Sequence, residues 1–106
     1  MMKIAYLDRD GVINLKARSH QYITSWEQFK FSPNIFNFLR DLIAKGYKLI
    51  IVTNQQGIGK NLFTIGNLSE IHENMLHVFS ENNIKIEKIY FCPHTKEENC
   101  NCRKPS

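Results

Sequence analysis

Three short apolar runs, Ile4 to Leu7, Tyr47 to Val52 and Ile86 to Phe91, limit what this chain can fold into more than any other feature. Each is bounded by polar or turn residues and reads as a buried parallel strand. Between the first two, Ile35, Phe36, Phe38, Leu39, Leu42 and Ile43 recur at helical spacing. Between the second and third, Leu68, Ile71, Met75, Val78 and Phe79 do the same. Strand–helix alternation of this kind builds a parallel α/β sheet through right-handed crossovers. Ser32 is expected to cap the first helix, with Pro33 at its first position and Gly46 closing it. The second helix is expected to end near Asn82-Asn83. Residues 11 to 31 hold no long period, with Tyr22, Trp26, Phe29 and Phe31 among polar residues. They read as a flap over the strand ends, large enough to gate a site.

The first run leads straight into Asp8-Arg9-Asp10-Gly11. Asp8 and Asp10 therefore stand at the C-terminal end of a strand, where open α/β sheets keep their ligands. Residues two apart on a strand point the same way, so the two carboxylates share a face. One can attack a phosphorus atom while the other moves the proton. Gly11 lets the chain turn out of the strand without steric cost. A strand ending in a plain polar turn would use the same residue types, so the rest of the chain has to decide.

At 106 residues and 42% apolar content, the chain is one small domain with enough hydrophobic residues for a core. The net charge is +4, and the lysines are scattered rather than clustered. That pattern is a solvated surface leaning toward anionic ligands, and it gives little support to nucleic-acid binding. Asp8 and Asp10 interrupt the only apolar N-terminal run, and no stretch approaches a membrane span. The expectation is a cytoplasmic protein with no membrane partner.

Cys92-Pro93-His94 and Cys100-Asn101-Cys102 put four soft ligands within eleven residues. All three cysteines of the chain are in this cluster. Three thiolates and one imidazole make a closed tetrahedral zinc set. A disulfide would leave one cysteine over, in a chain with no secretion signal. Chance clustering of free thiols is the other alternative, and the spacing favours zinc over both. With no open position the site would be structural glue rather than a catalyst.

Thr53 to Lys60 looks superficially like a nucleotide-binding loop, but Asn54 replaces its first glycine and Asn61 its final hydroxyl residue. A better reading is a hydroxyl and amides at a strand end, ready for phosphate oxygens. A polar connecting loop would look similar without Asp8 and Asp10. Arg103 and Lys104 follow the last cysteine directly. Zinc would fix these two cations in place, and Lys104 could neutralise phosphate. Without zinc they would be a basic chain end.

Leu7–Asn14 (LDRDGVIN), Val52–Gly59 (VTNQQGIG), and Cys92–His94 with Cys100–Pro105 (CPH…CNCRKP) occur in a specific order. Together they resemble the haloacid-dehalogenase (HAD) superfamily of phosphatases, in its zinc-containing branch. The resemblance covers essentially all 106 residues. That branch holds D-glycero-D-manno-heptose 1,7-bisphosphate 7-phosphatases and histidinol-phosphate phosphatases. The resemblance implies a Mg²⁺-dependent phosphomonoester hydrolase working through an aspartyl-phosphate. Asp8 would be the nucleophile and Asp10 the general acid/base. Thr53 would bind phosphate with Asn54 and Gln55 beside it, Lys104 would be the third-motif lysine, and Arg103 would touch substrate phosphate. Cys92, His94, Cys100 and Cys102 would hold zinc. The Asp8 carboxylate and the Asp10 backbone carbonyl would ligate Mg²⁺.

The segment from Tyr22 to Phe29 looks more like the heptose enzymes, so the expected substrate is the sugar bisphosphate, in the pathway to the lipopolysaccharide core. Histidinol phosphate is the alternative, and a non-catalytic zinc-stapled fragment is the second. Ile65-Gly66-Asn67 stands where relatives usually have acidic helix-starting residues. Family members also run on through two more strands that complete the Mg²⁺ site. The resemblance therefore implies a single HAD-like Rossmannoid domain over residues 1–106, with flanking helices and three of the usual five or more strands. Such a chain is expected to bind Mg²⁺ weakly, to be nearly inactive, and to self-associate through an exposed edge at its first strand.

Overall fold

The computed structural model describes residues 2–18 and 21–92. Its elements are β1 (Lys3–Asp8), α1 (Ile35–Ala44), β2 (Tyr47–Asn54), α2 (Gln56–Gly59), α3 (Ile65–Glu81) and β3 (Ile86–Cys92), with a single 3₁₀ turn at Trp26–Gln28. The strands pair in the order β1-β2-β3, all parallel. Lys3 faces Tyr47 and Asp8 faces Val52. A register shift falls between Leu49 and Ile50, after which Ile50 faces Lys88 and Asn54 faces Cys92. Asp8, Asn54 and Cys92 thus end neighbouring strands on one edge of the sheet, as the strand–helix alternation requires.

Leu7, Leu49 and Ile51 share one sheet face and join the apolar faces of α1 (Ile35, Leu39) and α3 (Ile71, Met75, Phe79) in one core cluster. Both crossovers therefore cover the same side. On the other side Ile4, Tyr6 and Tyr90 are exposed. Among the described residues β1 is an edge strand.

The helix ends follow local chemistry. The expected cap at Ser32 is shifted. Pro33 and Asn34 form a turn in which the Ile35 N–H donates to the Ser32 carbonyl (3.2 Å) and Asn34 takes φ 63°. Asn is one of the few non-glycine residues that enter the left-handed region cheaply, so the chain turns once more before α1 begins. Gly46, at φ 92°, closes α1 as expected, and its N–H donates to the Ile43 carbonyl. The non-acidic start of α3 is capped after all. The Thr64 side chain accepts from the Asn67 N–H (3.0 Å) and the Asn67 side chain accepts from the Thr64 N–H (2.9 Å). Short α2 follows β2 directly and was not expected from sequence, because four residues are too few for a readable period.

Residues 11–31 are less flap-like than their composition suggests. Leu15 N–H donates to the Lys30 carbonyl and Ser32 N–H to the Ile13 carbonyl, closing the base of the segment. Ile13, Ile23 and Phe29 are buried. Phe31 packs edge-on against Phe29 (5.0 Å between ring centres) and Phe79 (5.3 Å), and tilted against Phe36 (4.9 Å). These aromatic residues extend the core, and among the described residues of the segment Lys16, Arg18, Gln21 and Tyr22 lie over the site.

Candidate active site

β1 ends at Asp8, whose side chain is exposed at the C-terminal edge of the sheet. The chain then turns sharply. The Arg9 carbonyl accepts the N–H groups of Val12, Ile13 and Asn14, and Gly11 takes φ 92°. A side chain at Gly11 would be strained there and would meet Lys16 Cε at 2.8 Å. This turn brings Asn14 back beside Asp10.

Asp10 is held by several side chains at once. Its Oδ1 accepts from Arg9 Nη2 (2.8 Å) and Asn14 Nδ2 (2.9 Å), and its Oδ2 from Gln55 Nε2 (3.0 Å). Thr53 Oγ1 lies at 3.5 Å from the same Oδ2, which is long for a hydroxyl, and accepts from Gln55 Nε2 at 2.7 Å. Burial works to raise the Asp10 carboxyl. The Arg9 charge and the hydrogen bonds from Arg9, Asn14 and Gln55 outweigh it, leaving the pKa below the ordinary carboxylate value. Asp10 is therefore ionised at neutral pH.

Arg9 is fully buried, and its Nη1 lies 3.2 Å from His72 Nε2 on α3. Burial, then the Arg9 charge, push His72 down to about 4, against a smaller opposing effect of Asp10. The unfolded chain thus binds a proton at His72 that the fold refuses between about 6.5 and 4. Stability is intact above that window and falls as pH drops through it, by on the order of 2–3 kcal/mol when fully developed. Asp10 acts in the same direction, because a lowered carboxyl pKa stabilises at neutral pH and is lost on acidification. Chemical denaturation across pH 4 to 7 should show this slope. His72→Gln, which cannot titrate, should flatten it.

A cavity of about 270 Å³ opens beside Asp10. Asp10 and Asn54 form part of its lining, and Lys16, Arg18, Gln21 and Tyr22 line it from the loop. Lys60 Nζ lies 3.4 Å from the Tyr22 hydroxyl. A cavity walled by cations and floored by strand-end polar groups suits an anionic ligand.

Of the residues expected from sequence, Asp10, Thr53 and Gln55 are bonded together, Asn54 lines the same cavity, and Asp8 stands on the same edge. Thr53 and Gln55 are buried and turned toward Asp10. Cys92 ends β3 opposite Asn54. His94, Cys100, Cys102, Arg103 and Lys104 lie outside the described residues. Among the described residues no three His, Cys, Asp or Glu side chains gather as a metal site. Sequence reasoning missed Arg9, Asn14, Lys16, Arg18 and His72. His72 carried a signal, since it falls in the apolar series Leu68, His72, Met75, Phe79 of α3.

The model of the polynucleotide kinase 3 phosphatase family matches residues 3–106. The chain is 38% identical over 104 residues to the D-glycero-beta-D-manno-heptose-1,7-bisphosphate 7-phosphatase of Helicobacter pylori, covering 97% of this chain and 58% of that protein. It is 42% identical over 103 residues to the D-glycero-alpha-D-manno-heptose-1,7-bisphosphate 7-phosphatase of Campylobacter jejuni, covering 97% and 57%. The histidine biosynthesis bifunctional protein HisB of Blochmanniella floridana is 37% identical over 103 residues, with 97% of this chain and 29% of that protein covered. Among solved structures, the D,D-heptose 1,7-bisphosphate phosphatase of B. bronchiseptica, complexed with magnesium and phosphate, superposes with a TM-score of 0.90 at 30% identity. That match covers 98% of this chain and 57% of the other. The chain thus spans a little over half the length of the Helicobacter, Campylobacter and B. bronchiseptica proteins.

Proposed function

Because the chain belongs to the polynucleotide kinase 3 phosphatase family and has a HAD-like fold, we propose that it hydrolyses a phosphomonoester through an aspartyl-phosphate on Asp8. The observation that carries this reading is the pairing of an exposed carboxylate at the end of β1 with a clamped, ionised Asp10 on the same sheet edge. A carboxylate oxygen of Asp8 attacks phosphorus, the P–O ester bond breaks, and the alkoxide takes a proton from Asp10. Water then gives a proton to Asp10 and attacks the aspartyl-phosphate, freeing Asp8 and inorganic phosphate. Asp10 starts ionised, so its first proton has to arrive with the phosphomonoester, whose second pKa is about 6.

Mg²⁺ suits this site, with hard oxygen donors from the Asp8 carboxylate and the Asp10 main-chain carbonyl. The Asp10 carboxylate accepts three N–H donors out of about four acceptor positions, which leaves room on it for a proton while the metal would be held by its main-chain carbonyl. A bound divalent cation would offset charge between Asp8 and an incoming phosphate. Thr53, Asn54 and Gln55 supply polar groups at the neighbouring strand end, and Arg103 and Lys104 are assigned to substrate phosphate.

The favoured substrate is D-glycero-D-manno-heptose 1,7-bisphosphate, cleaved at C7, because relatives at 38–42% identity carry that name. The cation-lined cavity accords with a small bisphosphate, and we assign no nucleic-acid substrate despite the family's name. The HisB match supports histidinol phosphate as the second reading. Comparing kcat/KM on the two substrates decides between them. The expected result favours the heptose bisphosphate, and a higher value for histidinol phosphate reverses the ranking.

Cys92, His94, Cys100 and Cys102 are assigned to one structural zinc, which their donor chemistry fits. Elemental analysis of protein purified without chelator should find about one zinc per chain. Cys100→Ala should lose the metal and weaken substrate binding through Arg103 and Lys104. Metal-free protein with full affinity would remove the assignment.

A further inference from the structure

We propose that Arg9 and His72 are positioning residues for this reaction: His72 on α3 holds one end of the Arg9 guanidinium so that the other end fixes the Asp10 carboxylate. The inference rests on the reading of Asp10 as the acid/base, and it adds two residues that no motif reading assigned a role.

The geometry is a chain of three side chains. His72 Nε2 lies 3.2 Å from Arg9 Nη1, and Arg9 Nη2 donates to Asp10 Oδ1 at 2.8 Å. Arg9 has only donors, so His72 Nε2 must be the acceptor and the imidazole proton sits on Nδ1. The planar guanidinium ties the two bonds together rigidly, as a flexible lysine would not. Phe29 supports it, with the Arg9 Cζ 5.7 Å from its ring centre. The far end of Asp10 is held by Gln55, so the carboxylate is pinned from both sides.

Burying this arginine is not explained by stability. A fully buried charge carries a desolvation cost of several kcal/mol, and buried ion pairs are often replaceable by apolar residues without loss. Here Arg9 Nε has no partner among the described residues, so the compensation is incomplete. His72 is 8% exposed, so it too is taken out of water. Two polar groups held at this cost line up behind one carboxylate oxygen, with His72 reaching Asp10 only through Arg9. A proton carrier misplaced by about 1 Å loses on the order of 10²-fold in rate, which is the loss such a clamp prevents.

The test separates positioning from packing in the full chain. Arg9→Met keeps the bulk and removes the clamp. It should still fold, with some loss of stability because Asp10 and His72 lose a partner, while kcat falls about 100-fold with KM nearly unchanged. His72→Leu should lower kcat by about 10-fold, and His72→Gln, which keeps a side-chain acceptor, should restore most of it. The double variant Arg9→Met/His72→Leu should be no slower than Arg9→Met alone, because both act through one link. Independent, multiplying losses would overturn the proposal, as would parent-like kcat in a folded His72→Leu protein. Nitrogen NMR of the parent adds a readout that needs no turnover. His72 Nε2 should be unprotonated with the proton on Nδ1, and a protonated Nε2 at neutral pH would overturn the link. If Asp10→Asn kept full activity, the acid/base reading itself would fall, while the NMR result would still decide the Arg9–His72 bond.

Discussion

In a full-length form, Asp8→Asn is expected to lower phosphatase turnover by a factor on the order of 10⁴ or more and to abolish any trapped phosphoenzyme. A carboxamide keeps the size and polarity of Asp8 but is a far weaker nucleophile. The substitution sits on an exposed side chain at the end of β1, so it should not disturb the core formed by Leu7, Leu49 and Ile51. Asp10→Asn should behave differently. Proton transfer alone is lost, and turnover should fall by about 10²–10⁴ while substrate still binds. Rapid acid quench with labelled substrate distinguishes the two: label should stay on the Asp10→Asn protein and be absent from the Asp8→Asn protein. Substantial turnover in Asp8→Asn would mean that the phosphoryl group never passes through this residue.

The features that periodicity encodes were legible in the sequence. The two longer helices, three strands and their parallel order follow from apolar spacing and from the strand–helix alternation. The edge that gathers Asp8, Asp10, Thr53, Asn54 and Gln55 follows from the topology alone. What spacing cannot encode is which way a polar side chain turns once buried. Thr53 and Gln55 sit at a strand end that promised phosphate contacts, yet both point at Asp10. Arg9 looked like a spacer between two acids, and it became the most deeply buried charge of the site. Its partner His72 is 63 positions away, so no local pattern joins them. Likewise, Phe31 read as a flap residue although it packs on Phe36 of α1 and Phe79 of α3, contacts that its own segment does not encode.

That long-range burial makes Phe79→Ala the core substitution with the largest expected effect. Phe79 is fully buried and meets Phe31 at 5.3 Å and Phe36 at 5.7 Å, both edge-on. It is the one ring of α3 through which the helix grips both α1 and the loop base among the described residues. Removing a buried phenyl ring typically costs about 3–5 kcal/mol, a large share of the roughly 5–15 kcal/mol that holds a domain of this size together. The melting temperature should drop by roughly 15–30 °C. Phe38→Ala on α1 is the control, since that side chain is 46% exposed and should cost about 1 kcal/mol or less. The effect should also reach the site before global unfolding. Phe31 is bridged to Asn14, and Asn14 donates to Asp10 Oδ1. Loosening Phe31 therefore removes one of the donors that keep the Asp10 carboxyl low. Turnover in Phe79→Ala should decline at temperatures where far-ultraviolet circular dichroism still reports a folded chain. Coincident loss of activity and secondary structure would show that the loop base and the core melt as one unit.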